Sequence, residues 1–230
     1  MVTDPDSWLE GQILLLDKPY GWTSFYLVKR VKRSIETAWH LSKLKVGHAG
    51  TLDPLATGLM IVAVGKATKQ IDELQAGDKE YLATIRLGAT TPGFDLEKEV
   101  DAVFPYEHIT EKMVKKALLE MTGIIDQVPP LYSAKKIAGV RAYDFARKGE
   151  EQVLKPKRIQ IHEIELLGFT PPDISLRITC SRGTYIRSIA RDLGLALGSG
   201  GHLVGLTRTR SGEFKLADAL TFEDFLKKLT

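Results

Sequence analysis

The chain has 230 residues, 43% of them hydrophobic and 27% charged, with a formal net charge of +3. This is the balance of a globular protein with a full core, and it excludes a disordered or fibrous chain. Cys180 stands alone, so no internal disulfide forms; the five histidines are scattered without metal-ligand spacing; and there is no apolar run of the ~18 residues that a membrane helix needs.

The segment from Met1 to Glu10 is acidic and lacks the basic-then-apolar pattern of a signal peptide, so a cytoplasmic location is expected. Gln12 to Leu16 reads as a buried strand, followed by the turn Asp17-Lys18-Pro19-Tyr20-Gly21. Thr23 or Ser24 can cap a helix with the apolar stripe Leu27, Val28, Val31 and Ile35, and its other face carries Lys29, Arg30, Lys32 and Arg33. Leu59 to Val64 is a second buried strand. Glu80 to Leu87 alternates, with Tyr81, Ala83, Ile85 and Leu87 on one face. Residues 91 to 107 are acidic and broken by Pro and Gly, the composition of an exposed loop.

Thr110 starts a helix with Val114, Ala117, Leu118 and Met121 on one face. Gly123 to Val128 leads into Pro129-Pro130 and then a basic stretch, where residues 132 to 158 carry eight Lys or Arg against three Asp or Glu. This stretch reads as an arm, about 129 to 157, with a short helix near Ala142 to Lys148. Arg158 to Phe169 and Ile174 to Cys180 read as paired strands around Pro171-Pro172. Thr184 is placed to cap a helix that turns Ile186, Ile189, Ala190, Leu193 and Leu197 inward and ends at Gly198. Leu203 to Thr209 is a late strand, and Thr221 to Asp224 resembles a capping box for a terminal helix. Strands and helices interleave without a βαβ rhythm, which favours an α+β fold in one unit with an arm.

The chemistry concentrates in Gly47-His48-Ala49-Gly50-Thr51-Leu52-Asp53-Pro54-Leu55-Ala56-Thr57-Gly58. One carboxylate, Asp53, stands among glycines that permit close backbone approach, and Pro54 presses it toward an extended conformation. Left to spacing alone, Asp53 reads as ordinary turn chemistry. Three further segments change that reading: Asp17-Lys18-Pro19-Tyr20-Gly21-Trp22-Thr23-Ser24, Gln127-Val128-Pro129-Pro130-Leu131-Tyr132-Ser133-Ala134-Lys135-Lys136, and Cys180-Ser181-Arg182-Gly183-Thr184-Tyr185-Ile186-Arg187. In this order, with Gly65-Lys66-Ala67-Thr68-Lys69 and Lys79-Glu80-Tyr81 between, the chain closely resembles the TruB family of tRNA pseudouridine synthases from about Gly11 onward.

That resemblance implies a pseudouridine synthase fold, a mixed and mostly antiparallel sheet flanked by helices, with an RNA-binding insertion at about 129 to 157. It implies an isomerase that detaches uracil from its ribose and rejoins it through C5, acting on the uridine at position 55 in the tRNA T-loop. Asp53 is then the nucleophilic catalyst; attack at C1′ of the ribose, attack at C6 of the base and a glycal route all stay open. Arg187 is implied as the partner of that carboxylate, and Tyr81 as an active-site tyrosine that stacks on the base or moves a proton. Tyr185 and Leu206 match substrate-contacting positions. His48 matches the residue that fills the space left by the flipped base, Lys18 braces the catalytic loop, and Lys69 adds charge near the site or the RNA. On the bare pattern, Tyr81 and Leu206 read equally as core residues.

No cofactor and no metal are implied, because the isomerisation moves no electrons and consumes no nucleotide. The expected partner is tRNA through its T-arm; no membrane and no obligate protein partner is expected, and a monomer is. Residues 1–230 read as a single catalytic domain without the separate C-terminal PUA-type RNA-binding domain of most bacterial relatives. The alternatives are an RNA-guided synthase of the dyskerin type and a tRNA-folding chaperone.

Overall fold

The computed structural model describes residues 4–130, 136–137, 140–141 and 154–229. Most of the expected arm, including the expected helix near 142–148, lies outside the described residues. The described elements bear out an α+β fold.

Asp4 opens the chain's first helix, α1 (Pro5–Glu10), by accepting the Ser7 N–H at 2.9 Å, and α1 buries Trp8. Strand β1 is Gln12–Lys18. Helix α2 (Ser24–Ala38) is capped by Thr23, whose hydroxyl accepts the Tyr26 N–H; the period of Leu27, Val31 and Ile35 puts all three on the fully buried face. Strand β2 (Val46–His48) is too short to announce itself by alternation, and β3 (Thr57–Val64) is the apolar run. A 3₁₀ turn, Gly65–Gln70, and the single turn α3 (Ile71–Leu74) lead to β4 (Lys79–Leu87), whose odd-numbered residues are buried as the alternation requires.

Beyond β4 come the short strands β5 (Ala89–Thr90) and β6 (Ala102–Val103), the Thr110-capped helix α4 (Glu111–Glu120) and β7 (Gly123–Gln127). The two-residue strands β8 (Lys136–Ile137) and β9 (Val140–Arg141) pair with each other. Then follow the long strand β10 (Lys157–Thr170), β11 (Asp173–Cys180), helix α5 (Ile186–Ala196), β12 (Gly201–Ser211), β13 (Phe214–Lys215) and the Thr221-capped helix α6 (Phe222–Lys227). Thr184 does not cap α5: its hydroxyl turns back to the Ser181 carbonyl, and Tyr185 takes the cap position with no side-chain bond.

The chain forms two compact units, Met1–Tyr81 with Leu206–Thr230, and Leu82–Gly205. In the first unit β3 is the hub. It pairs antiparallel with β1 along its length (Gln12↔Val64 to Lys18↔Gly58), antiparallel with β2, and parallel with β12 at Thr207↔Thr57 and Arg208↔Gly58. A strand with neighbours on both edges and helices over it is apolar throughout, and Leu59 to Val64 are fully buried. In the second unit β11, β10 and β7 are successive antiparallel neighbours, and the core is built from Ile161, Ile174, Leu176, Ile178, Ile189 and Leu193.

Candidate active site

Asp53 sits in the connection between the antiparallel partners β2 and β3, and that connection is fastened almost residue by residue. The Ala49 N–H bonds the Ile61 carbonyl at 2.9 Å, and the Ala56 N–H closes a turn on the Asp53 carbonyl at 3.1 Å. The buried Ser24 hydroxyl accepts the Leu52 N–H at 2.9 Å and donates to the Leu52 carbonyl at 2.8 Å. The Pro54 carbonyl accepts the Gly21 N–H at 2.9 Å and the Lys18 ammonium at 3.2 Å. The residues on both sides of Asp53 are therefore held by β1 and α2, and the half-buried Asp53 carboxylate has little backbone freedom.

Lys18 is fully buried at the end of β1, and its three protons meet three carbonyls: Trp22 at 2.6 Å, Pro19 at 3.0 Å and Pro54 at 3.2 Å. Burial pushes its pKa down to about 8, against the attraction of the Asp53 and Asp17 carboxylates; the Arg208 charge pushes the same way as burial. These bonds tie the end of β1 to the Asp53 loop. The Asp17 carboxylate secures the other end of the loop by accepting the Gly58 N–H at 3.1 Å.

Arg208, on β12, was not among the expected site residues. It is 1% exposed and donates through Nε to the Leu59 carbonyl at 2.8 Å and through Nη2 to the Gly50 carbonyl at 3.1 Å. It explains two of the loop's glycines. A Cβ on Gly50 would lie 3.3 Å from the guanidinium, and Gly58 (φ +100°) would press a Cβ to 2.4 Å from the Arg208 carbonyl. The only signal in the sequence is the glycines themselves, which mark close approach by another segment but not which one.

His48 is the last residue of β2. Burial first, then Arg208, lowers its pKa, so its imidazole is neutral at pH 7. Tyr81 is 9% exposed on the buried face of β4 with Ala83 and Ile85, and half-buried Leu206 offers its carbonyl to the Thr57 hydroxyl. Lys69 is exposed at the end of the 3₁₀ turn. All of these, with Asp53, belong to the first unit.

Arg187 and Tyr185 belong to the second. Arg187 is 7% exposed near the start of α5, where the helix dipole disfavours a cation, and a carboxylate offsets this: Asp95 Oδ2 lies 3.3 Å from Nη1, which also donates to the Gly93 carbonyl at 3.2 Å. The expectation of an exposed loop at 91–107 holds for most of 96–107 but fails at its start. Thr91, Gly93 and Asp95 are buried, Phe94 takes a left-handed φ of 58°, and the Thr91 hydroxyl ties the turn to the Asp95 carbonyl at 2.6 Å. At this start the carboxylate serves a buried ion pair rather than water. Tyr185 is clasped by Gln127 in both directions, N–H to Oε1 at 2.8 Å and Nε2 to carbonyl at 3.1 Å. Ser188 and Arg191 of α5 both donate to the Val128 carbonyl, at 2.9 and 3.1 Å. The chain is thus clamped just before Pro129.

Among the described residues no group of three or more His, Cys, Asp or Glu is arranged to hold a metal, and no helix is long and apolar enough to cross a membrane.

The protein-family models give two adjoining matches. Residues 38–186 match the TruB family pseudouridylate synthase N-terminal domain, and residues 187–230 match the tRNA pseudouridylate synthase B C-terminal domain. The first spans Asp53, Tyr81 and Tyr185; the second opens at Arg187 and includes Leu206 and Arg208. The chain is 56% identical over 216 residues to the tRNA pseudouridine synthase B of Phocaeicola vulgatus, covering 94% of this chain and 92% of that one. It is 57% identical over 211 residues to the enzyme of the same name from Bacteroides fragilis, covering 92% and 91%. Among solved structures it resembles a chain in the crystal structure of a Cbf5–Nop10–Gar1 complex, at a TM-score of 0.73 and 31% identity, covering 98% of this chain but spanning only 56% of that one. The fold is that of the pseudouridine synthases, and this chain belongs to the TruB family of pseudouridylate synthases.

Proposed function

We propose that the chain is a tRNA pseudouridine synthase acting in the cytoplasm on the uridine at position 55 of the T-loop. The reaction breaks the bond between ribose C1′ and uracil N1 and forms one between C1′ and C5. The C5 proton leaves, N1 gains one, and the formula is unchanged. Asp53 supplies the nucleophile, Tyr81 stacks on the base or moves the proton, and Arg187 orients the carboxylate. The flipped uracil leaves its stack at a cost of roughly a few kcal/mol, and neutral His48 takes the vacated space with Tyr185 and Leu206 against the base. The arm at about 129–157 closes over the T-arm, and the clamp of Val128 and Gln127 onto α5 gives it a fixed root. The whole chain acts as one catalytic domain and a monomer.

The observation that carries this reading is the fastening of the Asp53 loop on both flanks by buried donors. Such rigidity serves a group that must meet a reacting sugar in one orientation.

The test incubates unmodified T-arm RNA with the protein alone and maps pseudouridine by chemical labelling. Product without a guide RNA is expected; product only with a guide supports the RNA-guided alternative, and annealing without product supports the chaperone. Asp53→Asn is expected to lose at least ~10⁴-fold in rate, about 5 kcal/mol of barrier, with RNA binding intact. Near-normal turnover removes Asp53 from the mechanism.

A further inference from the structure

The basic face of α2 has no part in the reaction just described, yet its construction is unusual. Tyr26, Arg30, Arg33 and Thr37 follow one another at helical spacing on a stripe beside the buried one, with Lys29 at its flank. They line one wall of an open groove of about 690 Å³, and Leu226 and Leu229 line the other. Of the cations on this helix, Lys32 has a carboxylate partner, Glu36 at 3.8 Å. Among the described residues Lys29, Arg30 and Arg33 form no ion pair.

Arg30 is also preset. Its guanidinium lies 5.6 Å from the Trp22 ring centroid, 5.9 Å from Tyr26 and 5.1 Å from Phe222, and it donates to the Tyr26 hydroxyl at 3.1 Å. A guanidinium held this way loses little rotamer freedom when it binds an anion. Three unpaired cations side by side repel one another, and a polyanion relieves that repulsion. Asp224 of α6 does not supply it, since it is taken by Lys227 at 2.8 Å and by the Thr221 hydroxyl.

Position points to the identity of that polyanion. The N-terminal end of α2 is bonded to the catalytic loop through Ser24 and Leu52, so the stripe starts beside Asp53 and runs away from it. From Tyr26 to Thr37 it extends roughly 16 Å at 1.5 Å per residue, the run of about five phosphates of one strand in a duplex. We propose that the α2 groove, with Lys29, Arg30 and Arg33, is a second phosphate-binding surface for the substrate RNA, reading its backbone outside the flipped nucleotide and independently of the arm. This rests on the reading of the protein as a tRNA-modifying enzyme.

The experiment measures the Kd of an unmodified tRNA transcript across a salt series for the wild type and for Lys29→Gln/Arg33→Gln. Both side chains are exposed, so the melting temperature serves as a check that the fold is kept. The double variant is expected to bind roughly 10-fold more weakly at low salt and to flatten the log Kd against log salt slope by about 1.5, at ~0.7–0.9 for each phosphate no longer neutralised. Lys29→Arg/Arg33→Lys is expected to keep both values. An unchanged slope and Kd in the Gln variant overturn the proposal, as does equal weakening by the charge-conserving pair. Pseudouridine formation by the wild type is scored separately: binding without product removes the catalytic reading, and the slope comparison still decides the α2 surface.

Discussion

Two arginines are buried to nearly the same degree, Arg187 at 7% and Arg208 at 1% exposure, and they meet the penalty of a buried charge in opposite ways. Arg187 has a carboxylate of its own, Asp95, in a neighbouring turn. Arg208 is met by backbone carbonyls and the Met60 sulfur at 3.4 Å, and no carboxylate pairs with it among the described residues. The first arrangement neutralises a cation locally and leaves its orientation as the useful product. The second leaves a positive charge inside the first unit, fastened to the loop that carries Asp53, and its influence is already visible in the lowered pKa values of His48 and Lys18. Charge without a counterion is a poor way to stabilise a fold. It is a reasonable way to build a site where another negative group has to arrive.

That contrast can be broken most forcefully at Asp95. Asp95→Asn removes the carboxylate 3.3 Å from the buried Arg187 guanidinium and is expected to lower the unfolding free energy by about 3–5 kcal/mol, the range for breaking one side of a buried pair. Denaturant titration checks it, and a loss under about 1 kcal/mol, the size of an ordinary surface pair, would show that Arg187 does not depend on its carboxylate. Arg208→Met strands the Gly50 and Leu59 carbonyls but removes an uncompensated charge. Its net loss of stability is expected to be smaller, about 1–3 kcal/mol, while turnover falls by about 10²-fold as the loop loses its position. Equal stability losses for the two variants would erase the distinction drawn above.

Lys18 sharpens the comparison through pH. Its folded pKa of about 8 lies below its ordinary 10.5. Between those values the unfolded chain holds a proton that the folded protein has released, so this group's contribution to stability rises with pH across the window. Its grip on the loop moves the other way, because a neutral amine has two protons for three carbonyls. Turnover is therefore expected to fall above pH 8 without a matching loss of stability from this group, and Lys18→Arg to shift that limb upward. His48 acts at the acid end with a smaller effect. Its folded pKa is depressed, so the stability it contributes is held above pH 6.5 and lost as pH falls through the lower folded value. A pH series of thermal melts on His48→Gln against the wild type isolates that contribution.

The elements with a strong period were legible. The stripe Leu27, Val31, Ile35, the alternation of β4 and the caps at Thr23, Thr110 and Thr221 follow from local physics, and each was found where the spacing put it. The Asp53 loop was legible through its motif. What was missed depends on distant partners. Asp95 sits in a stretch with loop composition, and only its contact with Arg187, far along the chain, makes burial there favourable. Arg208 lies in a run of threonines and arginines that resembles a solvent-facing strand. Its side chain packs tightly against Gly50 and its backbone against Gly58, and no local pattern links these positions. Strand β2 has three residues, too few for any period to show.

The parallel pairing of β3 with β12 carries a temporal consequence. Thr57, just after the Asp53 loop, meets Thr207 hydroxyl to hydroxyl at 2.8 Å, a contact made across 150 positions of sequence. A growing polypeptide emits the aspartate long before the arginine that fastens its loop, so a chain that has not yet reached β12 lacks those bonds. Closing so long a loop is slow, and the Asp53 loop is fully fastened only after β12 has paired with β3.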